Sequence, residues 1–149
     1  PAWPEDPLFY VCVPSKTDAS VAPAGMENVF ILIPLAAGLQ DSKKEQDRLF
    51  TFAIDHLEKH AGQSILEHIV VNEQMSVSDF YSAYHSFKGN AYGLSNTLMQ
   101  TAVFKPRIRS KKVKGLYFAG QLSHPGPGLP PCLISGQISA IQLLKDMNL

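Results

Sequence analysis

Two cysteines, Cys12 and Cys132, lie far apart and form no C-x-x-C pair. That excludes a disulfide framework and a cysteine-built zinc site, and it makes a reducing, cytosolic setting the simpler reading. The histidines His56, His60, His68 and His85 are scattered over segments of different character, without metal-ligand spacing, so no metal is expected. Neither sign of charge is in excess: thirteen basic and thirteen acidic residues cancel, so the chain as a whole is no polyanion binder. A long apolar run is missing too. The longest, Val29 to Leu39, is interrupted by Pro34 and Gly38 and falls short of the about 20 residues a membrane helix needs, so any membrane contact is expected to be peripheral. Finally there is no G-x-G-x-x-G. Gly89 to Gly93 and Gly126 to Gly128 have the wrong spacing, so the usual pyrophosphate grip of a dinucleotide site is not in this chain.

What is present suffices for a real core: 149 residues, 45% hydrophobic and 17% charged, within the size of one domain. Phe9 to Val13 is β-branched and aromatic and stops at Pro14, which predicts a strand, and the apolar Val29 to Ile33, stopped by Pro34, predicts a second beside it. Ser42-Lys43-Lys44-Glu45 reads as a capping box. Behind it Leu49, Phe50, Ala53, Ile54, Leu57 and Ala61 recur at helical spacing up to a C-cap at Gly62. The opposite face, with Lys43, Gln46, Asp47, Asp55, Glu58 and Lys59, reads as solvated surface. Residues 67 to 77, holding Ile69, Val70 and Val71, predict a third strand, and Ser78-Asp79 a cap for a short helix carrying Phe80, Tyr81 and Tyr84. Those aromatics suit either a core or the wall of an apolar slot.

The densest information lies from Gly115 to Pro131. A short apolar strand, Leu116 to Gly120, runs into the Gly- and Pro-rich turn Ser123-His124-Pro125-Gly126-Pro127-Gly128-Leu129-Pro130-Pro131, and the helix-period run Leu133 to Asp146 follows. Glycine lets backbone approach a ligand closely, while proline stiffens the turn and fits the first turn of a helix. Amides at that helix start, with the positive end of the dipole, favour negative charge in front of them. An ordinary strand-turn-helix corner has the same composition. Cys132, near the helix start, is either a thiol of lowered pKa or a small packed residue. Upstream, Lys105, Arg107, Arg109, Lys111, Lys112 and Lys114 crowd six of the thirteen basic residues together without interleaved aromatics. That argues against nucleic acid and leaves an anionic lipid surface or a solvated connector.

The run Leu116-Tyr117-Phe118-Ala119-Gly120 with Ser123-His124-Pro125-Gly126-Pro127-Gly128-Leu129-Pro130 and Ser135-Gly136 resembles the C-terminal signature of bacterial phytoene desaturases, the FAD-dependent carotenoid desaturase family. Gly89-Asn90-Ala91-Tyr92-Gly93, Gln100 to Pro106, Pro14 to Asp18, Ala22-Pro23 and Val29 to Pro34 resemble the same family in the same order. The resemblance implies an α/β fold, mixed α+β, forming the C-terminal part of a two-domain flavoenzyme. Residues 1–104 would belong to an antiparallel substrate-binding portion, and 105–149 would supply the last strand and helix of a Rossmann-like FAD domain. It implies FAD as cofactor, approached by Gly120 and Gln121 near the ribityl and phosphate groups and by Gly128, Leu129, Pro130 and Pro131 at the pyrimidine edge. Tyr92 and Gly93 would lie against the ring or the substrate end beside it. Gln121 departs from the acidic or small residue frequent there in related flavoenzymes.

The implied activity is desaturation of a C30/C40 polyene such as phytoene in carotenoid biosynthesis, with a hydride passing to the flavin. His124 is the titratable residue nearest the implied ring and the candidate base. A carotenoid isomerase, a retinol saturase-like enzyme and a substrate-binding module inactive alone remain alternatives on the same scaffold. The expected location is cytoplasmic, peripheral on the inner membrane through Lys105 to Lys114. A strand cut from its parallel neighbours leaves an apolar edge, so self-association is expected as well.

Overall fold

The structure, a computed structural model, describes residues 1–94, 97–100 and 104–148; residues 101–103 of the upstream motif lie outside them. It is a mixed α/β chain divided into two compact units, Pro1–Asn90 and Ala91–Leu149.

In the first unit β1 (Tyr10–Cys12) pairs antiparallel with β2 (Phe30–Leu32), with Val11 opposite Ile31. The long connection folds into two single 3-10 turns, Pro14–Lys16 and Ala19–Val21. Asp18 caps the second by accepting the Ser20 N–H (2.9 Å), and Glu27 ties the connection together by accepting from Ser15 and Lys16. Helix α1 (Lys43–Ala61) begins and ends at the expected residues: Ser42 Oγ accepts the Glu45 N–H, although the Glu45 carboxylate accepts from Arg48 Nε (2.8 Å) instead of closing the expected box, and Gly62, at φ 68°, donates its N–H to the Glu58 carbonyl. Leu49, Ala53 and Ile54 of its apolar stripe, with Leu39, are the buried hydrophobic residues among those described. Phe9, just before β1, sets its ring edge-on against Phe52 and His56 of α1, which fixes the strand pair to the helix.

Three expectations are corrected here. Residues 67 to 77 form no strand. After the 3-10 turn Leu66–His68 the chain runs without a ladder partner, and Val70 and Val71 are exposed. β-branched residues make a strand only where a neighbour completes the sheet. Second, Glu58 is no mere solvated charge: its carboxylate accepts the Ile65 and Leu66 N–H groups at 2.6 and 2.9 Å, and these bonds hold it below the usual glutamate range. Third, α2 (Val77–Tyr84) is capped by Ser76, two residues earlier than expected. Asp79 Oδ2 accepts the Ser76 N–H (2.7 Å) and closes the box, while Asp41 accepts the Ser76 hydroxyl (2.6 Å) and the Ser78 N–H (2.9 Å). Tyr81 and Tyr84 are exposed, so neither sits in a core of this chain.

In the second unit, the segment around Ile108 meets the segment around Tyr117 antiparallel. Arg109 bridges Tyr117, the Phe118 N–H donates to the Ile108 carbonyl (2.7 Å) and the Ser110 N–H to the Leu116 carbonyl (2.9 Å). The expected buried strand, Leu116 to Gly120, is therefore an isolated bridge. Leu116 and Phe118 stay exposed, because a ladder partner covers a strand's edge and leaves open the faces on which its side chains stand. Helix α3 (Leu129–Asp146) starts four residues before the expected Leu133, with Pro130 and Pro131 inside its first turn.

Asp146, at the end of α3, accepts from Tyr117 Oη (2.6 Å), Arg109 Nη1 (2.9 Å) and Gln142 Nε2 (2.9 Å). The bonds from Tyr117 and Arg109 hold its carboxyl below the ordinary aspartate value. A depressed folded pKa gives stability that is whole above the unfolded value and is lost as pH falls through the folded one. In urea unfolding read from neutral pH down through the carboxylate range, Asp146→Asn should be less stable than the parent at neutral pH and lose less on acidification. Parallel pH profiles for the two chains would remove the clamp from the account.

Candidate functional site

The turn from Gly120 to Pro131 is built on positive-φ glycines, Gly120 (103°), Gly126 (144°) and Gly128 (108°), which no L side chain adopts without strain. A Cβ on Gly120 would meet nothing within 4 Å, so its bare face opens onto free space. The Gly120 peptide is held from behind. Its N–H donates to Ser135 Oγ (3.0 Å), and its carbonyl accepts Ser123 Oγ (3.0 Å) and the Ser123 N–H (3.1 Å). The two serine oxygens are 2.6 Å apart. Each hydroxyl has one hydrogen and that of Ser123 goes to Gly120, so Ser135 donates to Ser123. Both are essentially buried, at 0% and 2% exposure. One helical turn on, Ser139 Oγ donates to the Phe118 carbonyl (2.6 Å), so a stripe of serines on α3 fastens the strand end and the turn. Sequence reading placed Ser123 and Ser135 in the motif without a role and missed Ser139. The available signal was two serines four residues apart on a helix otherwise rich in Leu and Ile.

Gly128 precedes α3, and its carbonyl accepts the Cys132 N–H at 3.0 Å. The first amide behind the two prolines is thus already used. Pro130 and Pro131 carry no N–H, so the Leu129 N–H is what the helix start has to offer a ligand, rather than a set of amides. Pro130 is exposed and Pro131 half-buried. His124 is half-buried on the same turn. Gly93 lies beside this structure: a Cβ there would meet Leu122 Cδ2 at 3.1 Å and the Gln121 carbonyl oxygen at 3.2 Å, so two candidate positions, Gly93 and Gln121, come together. Tyr92 next to it is exposed. Gly89, the other end of that motif, belongs to the first unit, where its bare face is pressed against the backbone of Val77.

Of the six clustered cations, Arg109 is paired with Asp146 and Lys105 donates to the Pro125 carbonyl (2.9 Å). Arg107, Lys111, Lys112 and Lys114 are exposed. A cleft of about 470 Å³ in the first unit is lined by Asp41, Lys43, Gln46, Asn72, Gln74, Ser78 and Asp79, a polar wall unsuited to a hydrocarbon. No group of His, Cys, Asp and Glu among the described residues could hold a metal. No helix among them is long and apolar enough to cross a membrane. The Cβ position of Gly126 is occupied by Lys105 and that of Gly128 touches Pro131, so the bare backbone of the turn is at Gly120; with the Leu129 amide at the helix start it suits the edge of a flat, electron-accepting ring.

Known proteins resemble the chain along nearly all its length. It is 45% identical over 147 residues to a carotenoid 3,4-desaturase of Haloarcula japonica, covering 99% of this chain and 30% of that protein. It is 35% identical over 150 residues to a 4,4'-diapophytoene desaturase (4,4'-diaponeurosporene-forming) of Staphylococcus aureus, covering 96% and 30%. To a phytoene desaturase of Fusarium fujikuroi it is 32% identical over 165 residues, covering 96% and 29%. The chain thus spans about three tenths of the length of these curated relatives. No family model matches it.

Proposed function

We propose, from the premise that this chain belongs to the carotenoid desaturases and matches the C-terminal part of its relatives, that it supplies the ring-edge half of a flavin site in a polyene desaturase. The observation that carries the reading is Gly120 at the head of the Gly120 to Pro131 turn, whose backbone is bare on one side and anchored by Ser123 and Ser135 on the other. FAD, when bound, supplies the hydride acceptor that no side chain can provide. Gly120 and Gln121 would lie along its ribityl and phosphate part. Gly128, Leu129, Pro130 and Pro131 would hold its pyrimidine edge, where the Leu129 N–H favours negative charge. Gly93, against Gln121, and Tyr92 would bound the substrate end.

The serine stripe keeps this backbone from moving, so the geometry does not have to reorganise during reaction. In this reading 1–104 is the substrate-binding portion, 105–149 completes the FAD domain, and the chain is inactive alone. Large aliphatic residues of α3, Leu133, Ile134, Ile138, Ile141 and Leu144, stand exposed, as on a helix meant to be covered by more protein or by another copy. Arg107, Lys111, Lys112 and Lys114 would hold the enzyme peripherally on an anionic membrane, where its substrate dissolves.

The test is full-length protein with phytoene in anionic liposomes, read by absorption and product analysis. A lengthened chromophore is expected. An unchanged polyene with shifted double-bond geometry would replace the desaturase with an isomerase. His124 is assigned the proton: His124→Gln should keep bound FAD and lower kcat about a hundredfold. Loss of FAD at unchanged turnover per bound flavin would make His124 a turn residue only.

A further inference from the structure

We infer that Lys105 is a potential-setting residue: it places a positive charge on the Pro125–Gly126 turn, in the space that the missing side chain of Gly126 leaves open. This rests on the flavin reading above. Within the basic cluster Lys105 stands apart. Arg107, Lys111, Lys112 and Lys114 are exposed and Arg109 is neutralised by Asp146, whereas Lys105 is half-buried with its ammonium donating to the Pro125 carbonyl (2.9 Å). Among the described residues it has no carboxylate partner, so its charge is not cancelled. A lysine ammonium has three N–H donors, and the Pro125 carbonyl takes one.

Gly126 is buried at φ 144°, and a Cβ built on it falls on Lys105 Nζ, so a side chain there would displace the ammonium from its place on the turn. Two residues on begins Gly128 to Pro131, the proposed pyrimidine contact. Charge near that edge of a flavin is what a protein uses to tune its electronics. A cation there favours the ring when it carries negative charge.

The experiment uses the full-length holoprotein, with inorganic sulfite as probe, because sulfite adds to the oxidised ring and leaves it anionic. The readouts are bound flavin per protein, sulfite Kd and midpoint potential. Lys105→Met should retain FAD, bind sulfite about tenfold more weakly and have a midpoint lower by about 30 mV, the two-electron equivalent of tenfold. Lys105→Arg should restore both. Gly126→Ala, which displaces the ammonium but keeps the charge on the chain, should move both in the direction of Lys105→Met. Parent values of Kd and potential in Lys105→Met overturn the inference while the flavin reading stands. Should Lys105→Met not accumulate, Gly126→Ala with parent values overturns it instead. A parent protein that binds no FAD overturns the flavin reading, and the inference with it.

Discussion

Replacing Gly89 by alanine is expected to destabilise the chain by about 3 kcal/mol. The left-handed conformation at φ 64° costs a residue with a Cβ about 1–2 kcal/mol. The new methyl would also fall on the Val77 carbonyl oxygen, within 2.5 Å of Val77 Cγ1 and 2.9 Å of its carbonyl carbon, and overpacking of this kind adds about 1–3 kcal/mol. Val77 cannot step aside cheaply. It is the first residue of α2, whose start is held by the Ser76–Asp79 box and by Asp41 on Ser76 and Ser78. Gly62 provides the control: it has nearly the same φ, 68°, but nothing within 4 Å of its missing Cβ. Gly62→Ala should therefore lose about 1–2 kcal/mol only. Urea unfolding of both variants decides it, and equal losses would mean that α2 yields and the contact is unimportant.

The second large effect is expected at the buried serine pair. Ser135→Ala takes the acceptor from the Gly120 N–H and the partner from the Ser123 hydroxyl, and a buried polar group left unpaired costs about 1–3 kcal/mol. Ser123→Ala leaves the Gly120 carbonyl with the Ser123 N–H but takes the acceptor from the buried Ser135 hydroxyl, so its cost should be of the same order. The double variant should lose less than the two singles together, with a coupling of about 1 kcal/mol. Amide exchange separates the partners further: Gly120 should lose protection in Ser135→Ala and keep it in Ser123→Ala. An additive cycle with unchanged exchange at Gly120 would show that the serines are packed side by side without acting as a unit.

What could be read from the amino-acid order was local. Ser42, the helical recurrence of Leu49, Ala53 and Ile54, and Gly62 determine α1 within one continuous stretch, and the structure reproduces both ends. The two short strands needed only their apolar runs and the prolines after them. Residues 67 to 77 misled because valine reports a preference for a sheet without reporting whether a neighbouring strand exists. The cap of α2 misled for a related reason: Ser76 and Ser78 are both plausible by type. The carboxylate that stabilises this register, Asp41, comes from more than thirty residues upstream. In the candidate site the glycines and prolines of the turn were legible, since they act on their own backbone. The serines behind it and the lysine over Gly126 were not, because their roles depend on contacts made across the fold.

Helix α3 turns its serines inward and its leucines and isoleucines outward. Drift along this helix among descendants of one ancestor should therefore follow opposite rules on its two sides. Positions 135 and 139 admit only a residue as short as serine, and at 135 only one that can both accept and donate a hydrogen bond. Positions 133, 134, 138, 141 and 144 should exchange Leu, Ile, Val and Met freely and refuse charge.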